Sequence, residues 1–162
     1  MKRKVRVVGA GLAGSEAAFQ LANLGYDVEL VEMRPKKMTP AHTGEKFAEL
    51  VCSNSFRSDS LNNAVGILKS EMRSLNSLIM KSADAHQIPA GSALAVDREA
   101  FSEAVSNKIK SLENITVVNE EFLEFDDVPT IVATGPLTSD SFSKYLQDFF
   151  HQDDLYFYDA VA

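Results

Sequence analysis

One cysteine, three histidines and no tryptophan are found in 162 residues. A lone Cys52 excludes an internal disulfide framework and any cysteine-rich zinc site. His42, His86 and His151 show no ligand spacing, so no metal site is expected. Long apolar runs are absent too: none approaches the roughly 18 residues that span a bilayer. Met1-Lys2-Arg3-Lys4-Val5 runs into a strand rather than a signal peptide's apolar region, so the expectation is a cytoplasmic protein without membrane contact. Basic charge is also scarce, with 16 Lys and Arg against 23 Asp and Glu. Residues 1 to 57 carry +3, residues 58 to 119 carry −1 and residues 120 to 162 carry −9. The last quarter repels phosphate, which argues against DNA as a partner; any RNA contact must use the first third or something outside this chain.

What is present is an ordinary globular composition, 45% hydrophobic, enough for one domain-sized core. Residues 4 to 9 form a β-branched run ending in glycine. Residues 12 to 24 carry Ala17, Ala18, Leu21 and Leu24 at helical spacing before Gly25, a natural stop. Asp27 to Glu32 alternates as a second strand, parallel to the first after a right-handed crossover. From Met33 to about Leu61 the periodicity vanishes, and so long an irregular stretch in a compact domain points to function. Helical spacing returns at Val65, Leu68, Met72, Leu75, Leu78 and Ile79, and again at Phe101, Val105, Ile109 and Leu112 behind an Asp97 N-cap. An extended segment at Pro89 to Val96 separates the two. Strands are expected at Ile115 to Val118, Phe122 to Phe125 and Thr130 to Thr134, a helix at Asp140 to Phe150, and a last strand at Leu155 to Tyr158. The chain stops directly after that apolar strand, which suggests a fragment.

Gly9-Ala10-Gly11-Leu12-Ala13-Gly14 is a GxGxxG between the first strand and the first helix. Gly9 permits a tight turn, Gly11 lets the backbone approach a pyrophosphate, and Gly14 allows close helix–strand packing. The helix N-terminus then offers N–H groups and partial positive charge to the anion. Glu32, 18 residues beyond Gly14, closes the second strand where a ribose-binding acid belongs. Its charge would repel a 2′-phosphate, favouring NAD or the adenosine half of FAD over NADP. Arg34 reads either as a solvated loop cation or as a cofactor contact, since Arg commonly pairs with phosphate.

A second glycine signal lies in Thr130-Ile131-Val132-Ala133-Thr134-Gly135-Pro136. Alone it is an ordinary strand stop; beside the opening βαβ unit, its small residues would let the chain turn close to a ligand, and the pairing points to FAD. Cys52 reads either as a small buried hydrophobe or as a reactive thiol, with Lys46 and Arg57 near enough in sequence to favour a thiolate. His42 and Glu45 are possible proton-transfer partners or plain surface residues.

Taken together, these motifs are specific. They are Val8-Gly9-Ala10-Gly11-Leu12-Ala13-Gly14-Ser15-Glu16-Ala17-Ala18, Val31-Glu32-Met33-Arg34-Pro35, Pro40-Ala41-His42-Thr43, Phe47-Ala48-Glu49-Leu50-Val51-Cys52-Ser53-Asn54-Ser55 and Ala133-Thr134-Gly135-Pro136-Leu137-Thr138. Together they closely resemble the folate- and FAD-dependent tRNA (uracil-5-)-methyltransferases. The match continues through Leu94-Ala95-Val96-Asp97-Arg98 and Leu155-Tyr156-Phe157-Tyr158-Asp159-Ala160.

The resemblance implies an α/β fold, a Rossmann-like doubly wound parallel sheet of the FAD-binding, glutathione-reductase-like kind, with a helical excursion after the second strand. It implies methylenetetrahydrofolate as one-carbon donor to uridine C5 in tRNA, FAD as reductant, and NAD(P)H restoring the flavin. By carry-over, Gly9, Ala10, Gly11, Leu12, Ala13 and Gly14 hold the FAD pyrophosphate, Glu32 its ribose, with Arg34, Ala133, Thr134 and Gly135 beside them, and Cys52 is the catalytic candidate near the isoalloxazine, as a thiol that attacks the base, assists proton transfer or protects the flavin. Members of that family are longer. Residues 1 to 162 correspond to the N-terminal part of the FAD-binding domain, with residues 33 to 115 including a substrate-side excursion. Three alternatives stand beside this reading: a small-molecule FAD- or NAD-dependent oxidoreductase, a ribosomal-RNA uridine methyltransferase of the same family, and a catalytically incompetent nucleotide-binding lobe.

Overall fold

The computed structural model describes residues 3–151. The expected strand at Leu155 to Tyr158 lies outside them. Strands β1 (Lys4–Val8), β2 (Asp27–Val31), β6 (Ile115–Val118) and β7 (Thr130–Val132) form one parallel sheet in the order β6-β2-β1-β7. Helix α1 (Leu12–Asn23) makes the crossover between β1 and β2 and ends on Gly25, whose φ of 84° supplies the left-handed stop. Successive strand residues point to opposite faces, and β1 shows both faces covered. Val7 joins the core under α1, whereas Val8 packs with Phe142 and Leu146 of α5 (Asp140–Phe150). The sheet is therefore wound with helices on both sides.

Between β2 and β6 the chain builds the excursion. It contains β3 (Ser55–Ser58), α2 (Ala64–Ser74), α3 (Leu78–Ala85), β4 (Gln87–Ile88), β5 (Ala93–Val96) and α4 (Arg98–Lys110). Its strands form a separate antiparallel sheet, β3-β5-β4. Helices α3 and α4 pack on α1 in one continuous core, so the excursion shares its hydrophobic interior with the opening βαβ unit. Asp97 caps α4 as expected, accepting from the Ala100 N–H at 3.0 Å.

Three expectations need correcting. The periodicity from Val65 to Ile79 is two helices rather than one: Asn76 turns left-handed at φ 59°, and Ser77 caps a new start by accepting from the Met80 N–H. Glu16 of α1 reaches across to that start, accepting from the Ser77 hydroxyl at 2.8 Å and the Ile79 N–H at 2.9 Å. An apolar stripe in phase across the break concealed it, although Leu68 and Leu75 on that stripe are exposed. Residues 122 to 125 are not a strand. Phe122 and Phe125 both pack beside α5, and residues three apart cannot share one face of a period-two strand. The extended segment from Pro89 turns first, through Gly91 at φ 61°, and becomes β5 only at Ala93.

Candidate functional site

The carboxyl ends of β1, β2 and β7 open onto one cleft. Gly9, at the end of β1, has φ 95°, and a Cβ there would come within 2.6 Å of the Ala133 carbonyl oxygen. At Gly14 a Cβ would fall 1.8 Å from the Gly9 carbonyl oxygen, so helix and strand meet at a distance only glycine allows. Gly11 is the opposite case: a Cβ would meet nothing within 4 Å, because that position faces the cleft. No side chain caps α1, whose first intrahelical bond runs from the Ser15 N–H to the Gly11 carbonyl. Leu12 and Ala13 are exposed in that first turn, where helical N–H groups lack partners within the helix. The turn has the shape and polarity of an anion cradle.

Ala10 plays a different part. It is fully buried, and its N–H donates to Glu32 Oε2 at 2.8 Å, so it holds the acid in place instead of facing the cleft. Glu32 Oε1 accepts from the Arg34 backbone N–H at 3.1 Å and from Arg34 Nε at 3.0 Å. One lone pair on Oε2 remains for a hydroxyl donor on the cleft side. Arg34 is 1% exposed, which overturns the reading of a solvated loop cation. Its other arm donates to the Gly44 carbonyl at 3.2 Å and to Glu49 Oε2 at 3.0 Å. Glu49 also accepts from the Thr43 N–H and hydroxyl and from the Gly44 N–H.

Ala133 and Thr134 form the facing wall. The Ala133 N–H extends the β7 ladder to the Val8 carbonyl, and the Thr134 hydroxyl pairs with that of Thr138. Gly135, at φ 63°, starts a short 3-10 turn and is not itself on the cleft wall. Sequence reasoning missed Thr39, Glu120, Glu121, Phe122, Thr138 and Ser139 among the residues that line the cleft, and gave His42 no place there. His42 Nδ1 lies 2.6 Å from the Thr39 hydroxyl, well engaged on the cleft wall; Glu45 is exposed. The Pro40-Ala41-His42-Thr43 and Ala133-Thr134-Gly135-Pro136-Leu137-Thr138 motifs were the available signals.

Cys52 is exposed and is not among the residues lining the cleft, so the reading of a small buried hydrophobe fails. Lys46, expected near the thiol, pairs with Glu99 and Glu103 of α4 instead. Residues 33 to 50 hang on the glycine turn through the Ala48 N–H, which donates to the Ala10 carbonyl at 2.8 Å.

Burial pushes the Glu32 carboxyl up, but Arg34 and the Ala10 and Arg34 N–H groups outweigh it and hold it below the usual range. Glu49 follows the same pattern, with Thr43 and Gly44 overcoming burial. His42 is pushed down, by burial first and by the Arg34 charge second. Away from the cleft, the hydrogen bond from Arg6 brings Asp126 down to about 2. Every one of these shifts has the same consequence in acid, because the unfolded chain takes up protons before the folded one. A denaturant midpoint followed from pH 7 to pH 3 is expected to slip modestly below His42's ordinary 6.5 and steeply below the ordinary carboxyl value of 4.5. A midpoint that holds or rises through that lower window would contradict the network.

The model of the family described as Glucose inhibited division protein A matches residues 4–162. The chain belongs to that family. It is 59% identical over 161 residues to a Bacillus subtilis protein named Methylenetetrahydrofolate--tRNA-(uracil-5-)-methyltransferase TrmFO, covering 99% of this chain and 37% of the relative. The Acholeplasma laidlawii protein of the same name is 60% identical over 98% of this chain and 37% of its own length. The resemblance drawn from the loop motifs is thus borne out, and the chain spans about 37% of the length of the curated relatives it matches. Among solved structures, a mutant of P. aeruginosa PqsL aligns over 94% of this chain and 47% of its own, with TM-score 0.53 and 13% identity. CtdE, in complex with FAD and a substrate, aligns over 83% of this chain and 38% of its own, with TM-score 0.52 and 16% identity. Those two likenesses show the fold, the doubly wound α/β sheet expected of the family. Among the described residues no helix is long and apolar enough to cross a membrane.

Proposed function

We propose that this chain is the FAD-binding N-terminal part of a cytoplasmic flavoenzyme that carries a one-carbon unit from methylenetetrahydrofolate to C5 of a uridine in tRNA. The observation that carries the reading is the open, uncapped turn at Gly11 beside a buried Glu32, in a chain of this family. The main-chain N–H groups of Gly11 and the first turn of α1 hold the diphosphate. Glu32 takes a ribose hydroxyl on Oε2, and its charge disfavours a 2′-phosphate. Ala133 and Thr134 close the opposite wall, with Gly135 turning the chain away. FAD, reduced by NAD(P)H, supplies the reducing equivalents that complete the methyl group.

Cys52 is the residue of this chain suited to activating the base. Addition of its thiolate at uracil C6 forms an S–C6 bond and moves the C5–C6 electron pair onto C5, which then attacks the methylene carbon. Loss of the C5 proton expels the thiolate again, and the bond from that carbon to the folate nitrogen breaks, releasing tetrahydrofolate, as two electrons from the reductant complete the methyl group. Its exposed position outside the cleft suits a nucleotide presented by a polymer too large to enter. Residues 33 to 115 would then be the substrate-side excursion, and RNA-facing charge within this chain lies in its first 57 residues, which carry +3.

The test uses the complete protein. Tritium release from tRNA labelled at uracil C5 is expected to require methylenetetrahydrofolate and FAD, and Cys52→Ala is expected to abolish it while leaving FAD bound. NAD(P)H turnover on a small molecule with no release from tRNA would replace this reading with an oxidoreductase.

A further inference from the structure

The polar contacts around Arg34 form a closed circuit. The Ala10 N–H donates to Glu32, Glu32 accepts from Arg34, Arg34 donates to Glu49, and one residue before Glu49 the Ala48 N–H returns to the Ala10 carbonyl. Cys52 stands three residues beyond Glu49 on the same loop. The two ends of this circuit differ in what they touch: Glu32 and Arg34 face the cleft, whereas Glu49 does not. One guanidinium is thus shared between two carboxylates, one on the cleft wall and one on the loop that leads to the thiol. Its planar fork suits that division, since separate N–H groups serve each partner. Side-chain exposures of 2% for Arg34 and 7% for Glu32 bury the first bond, and Glu49, at 17%, stands at the partly open end of the circuit. Ala48 is held at φ 51°, a left-handed setting that non-glycine residues adopt at a cost, so the loop keeps its course only while its anchors hold.

We propose that Arg34 is a positioning residue that couples occupancy of the dinucleotide cleft to the setting of the Cys52 loop. A ribose hydroxyl donating to Glu32 Oε2 draws on the carboxylate charge that Arg34 also uses. The guanidinium then leans towards Glu49, and the loop beyond Glu49 shifts with it. This rests on the dinucleotide reading of the cleft; ligand and loop need not touch for the effect to pass.

The experiment is alkylation of Cys52 by iodoacetamide in the complete protein, followed by peptide mass mapping, with and without saturating FAD. FAD binding itself is measured separately by flavin fluorescence. In the unaltered protein FAD is expected to change the alkylation rate about fivefold or more. Glu49→Gln, outside the cleft, is expected to bind FAD within about twofold of the original affinity and to lose the FAD-dependent change. Arg34→Lys, whose single ammonium cannot serve both carboxylates, is expected to lose it as well, and it serves as the comparison should Glu49→Gln melt. If FAD binds and the rate does not respond, or responds equally in the variants as direct shielding would, the coupling is wrong while the cofactor reading stands. If FAD does not bind the unaltered protein, both fall together.

Discussion

Arg34→Met is expected to cost about 3–5 kcal/mol of folding stability, the usual penalty for removing one partner of a buried ion pair. The size comes from what remains. Glu32 and Glu49 keep their negative charges in sites 7% and 17% exposed, and the charge that lay between them is gone. Backbone N–H groups of Ala10, Thr43 and Gly44 still solvate the carboxylates, but they do not neutralise them. The contrast is Lys36 with Glu120, where both side chains are 65% exposed; breaking that pair is expected to change stability by less than ~1 kcal/mol. Urea denaturation of the two variants side by side tests this. An Arg34→Met loss no larger than that of the surface pair would mean water reaches the network.

The glycine turn yields the second large effect, in the form of a dissociation between two neighbours. Gly14→Ala forces a Cβ to 1.8 Å from the Gly9 carbonyl oxygen, and because that atom is backbone, the helix or the strand must move. A loss of about 3 kcal/mol is expected, at the upper end for overpacked sites, together with loss of FAD binding. Gly11→Ala places its methyl group in open space at an extended backbone position, φ −70° and ψ −166°. Its stability is expected to stay within about 1 kcal/mol of the original, while FAD affinity falls by about tenfold or more, ~1.4 kcal/mol. Thermal melts and flavin titrations on both variants separate packing from binding. Equal FAD affinity in Gly11→Ala and the unaltered protein would remove the diphosphate from the turn.

The βαβ opening was legible because its signals are local. A β-branched run, glycines at fixed offsets and an acid at the end of the next strand are contiguous or nearly so, and the same holds for the Asp97 cap and for α5. What escaped notice depends on partners distant in sequence. The break at Asn76 has a local part in the left-handed Asn76 and the Ser77 cap, but its further support comes from Glu16, about sixty residues earlier, whose carboxylate accepts from the Ser77 hydroxyl and the Ile79 N–H. Residues 122 to 125 follow α5, which comes later in the chain, and so depart from strand geometry despite their apolar character. At the cleft, Glu32 was legible as an acid in the right place, but the destination of Arg34 was not. Its carboxylate partner Glu49 lies 15 residues on, in a stretch without periodicity, and no local rule pairs them. His42 was singled out by residue type, yet its place on the cleft wall depends on how that same stretch folds back over the glycine turn.

Glu16 also limits how the excursion could be transplanted. Spacer residues inserted between α1 and α3 would add little closure entropy, since that term grows only with the logarithm of length. A graft of residues 55 to 96 onto a foreign scaffold, however, would separate α3 from the carboxylate that closes its first turn. The smallest portable unit of this fold therefore carries the nucleotide-side helix with it.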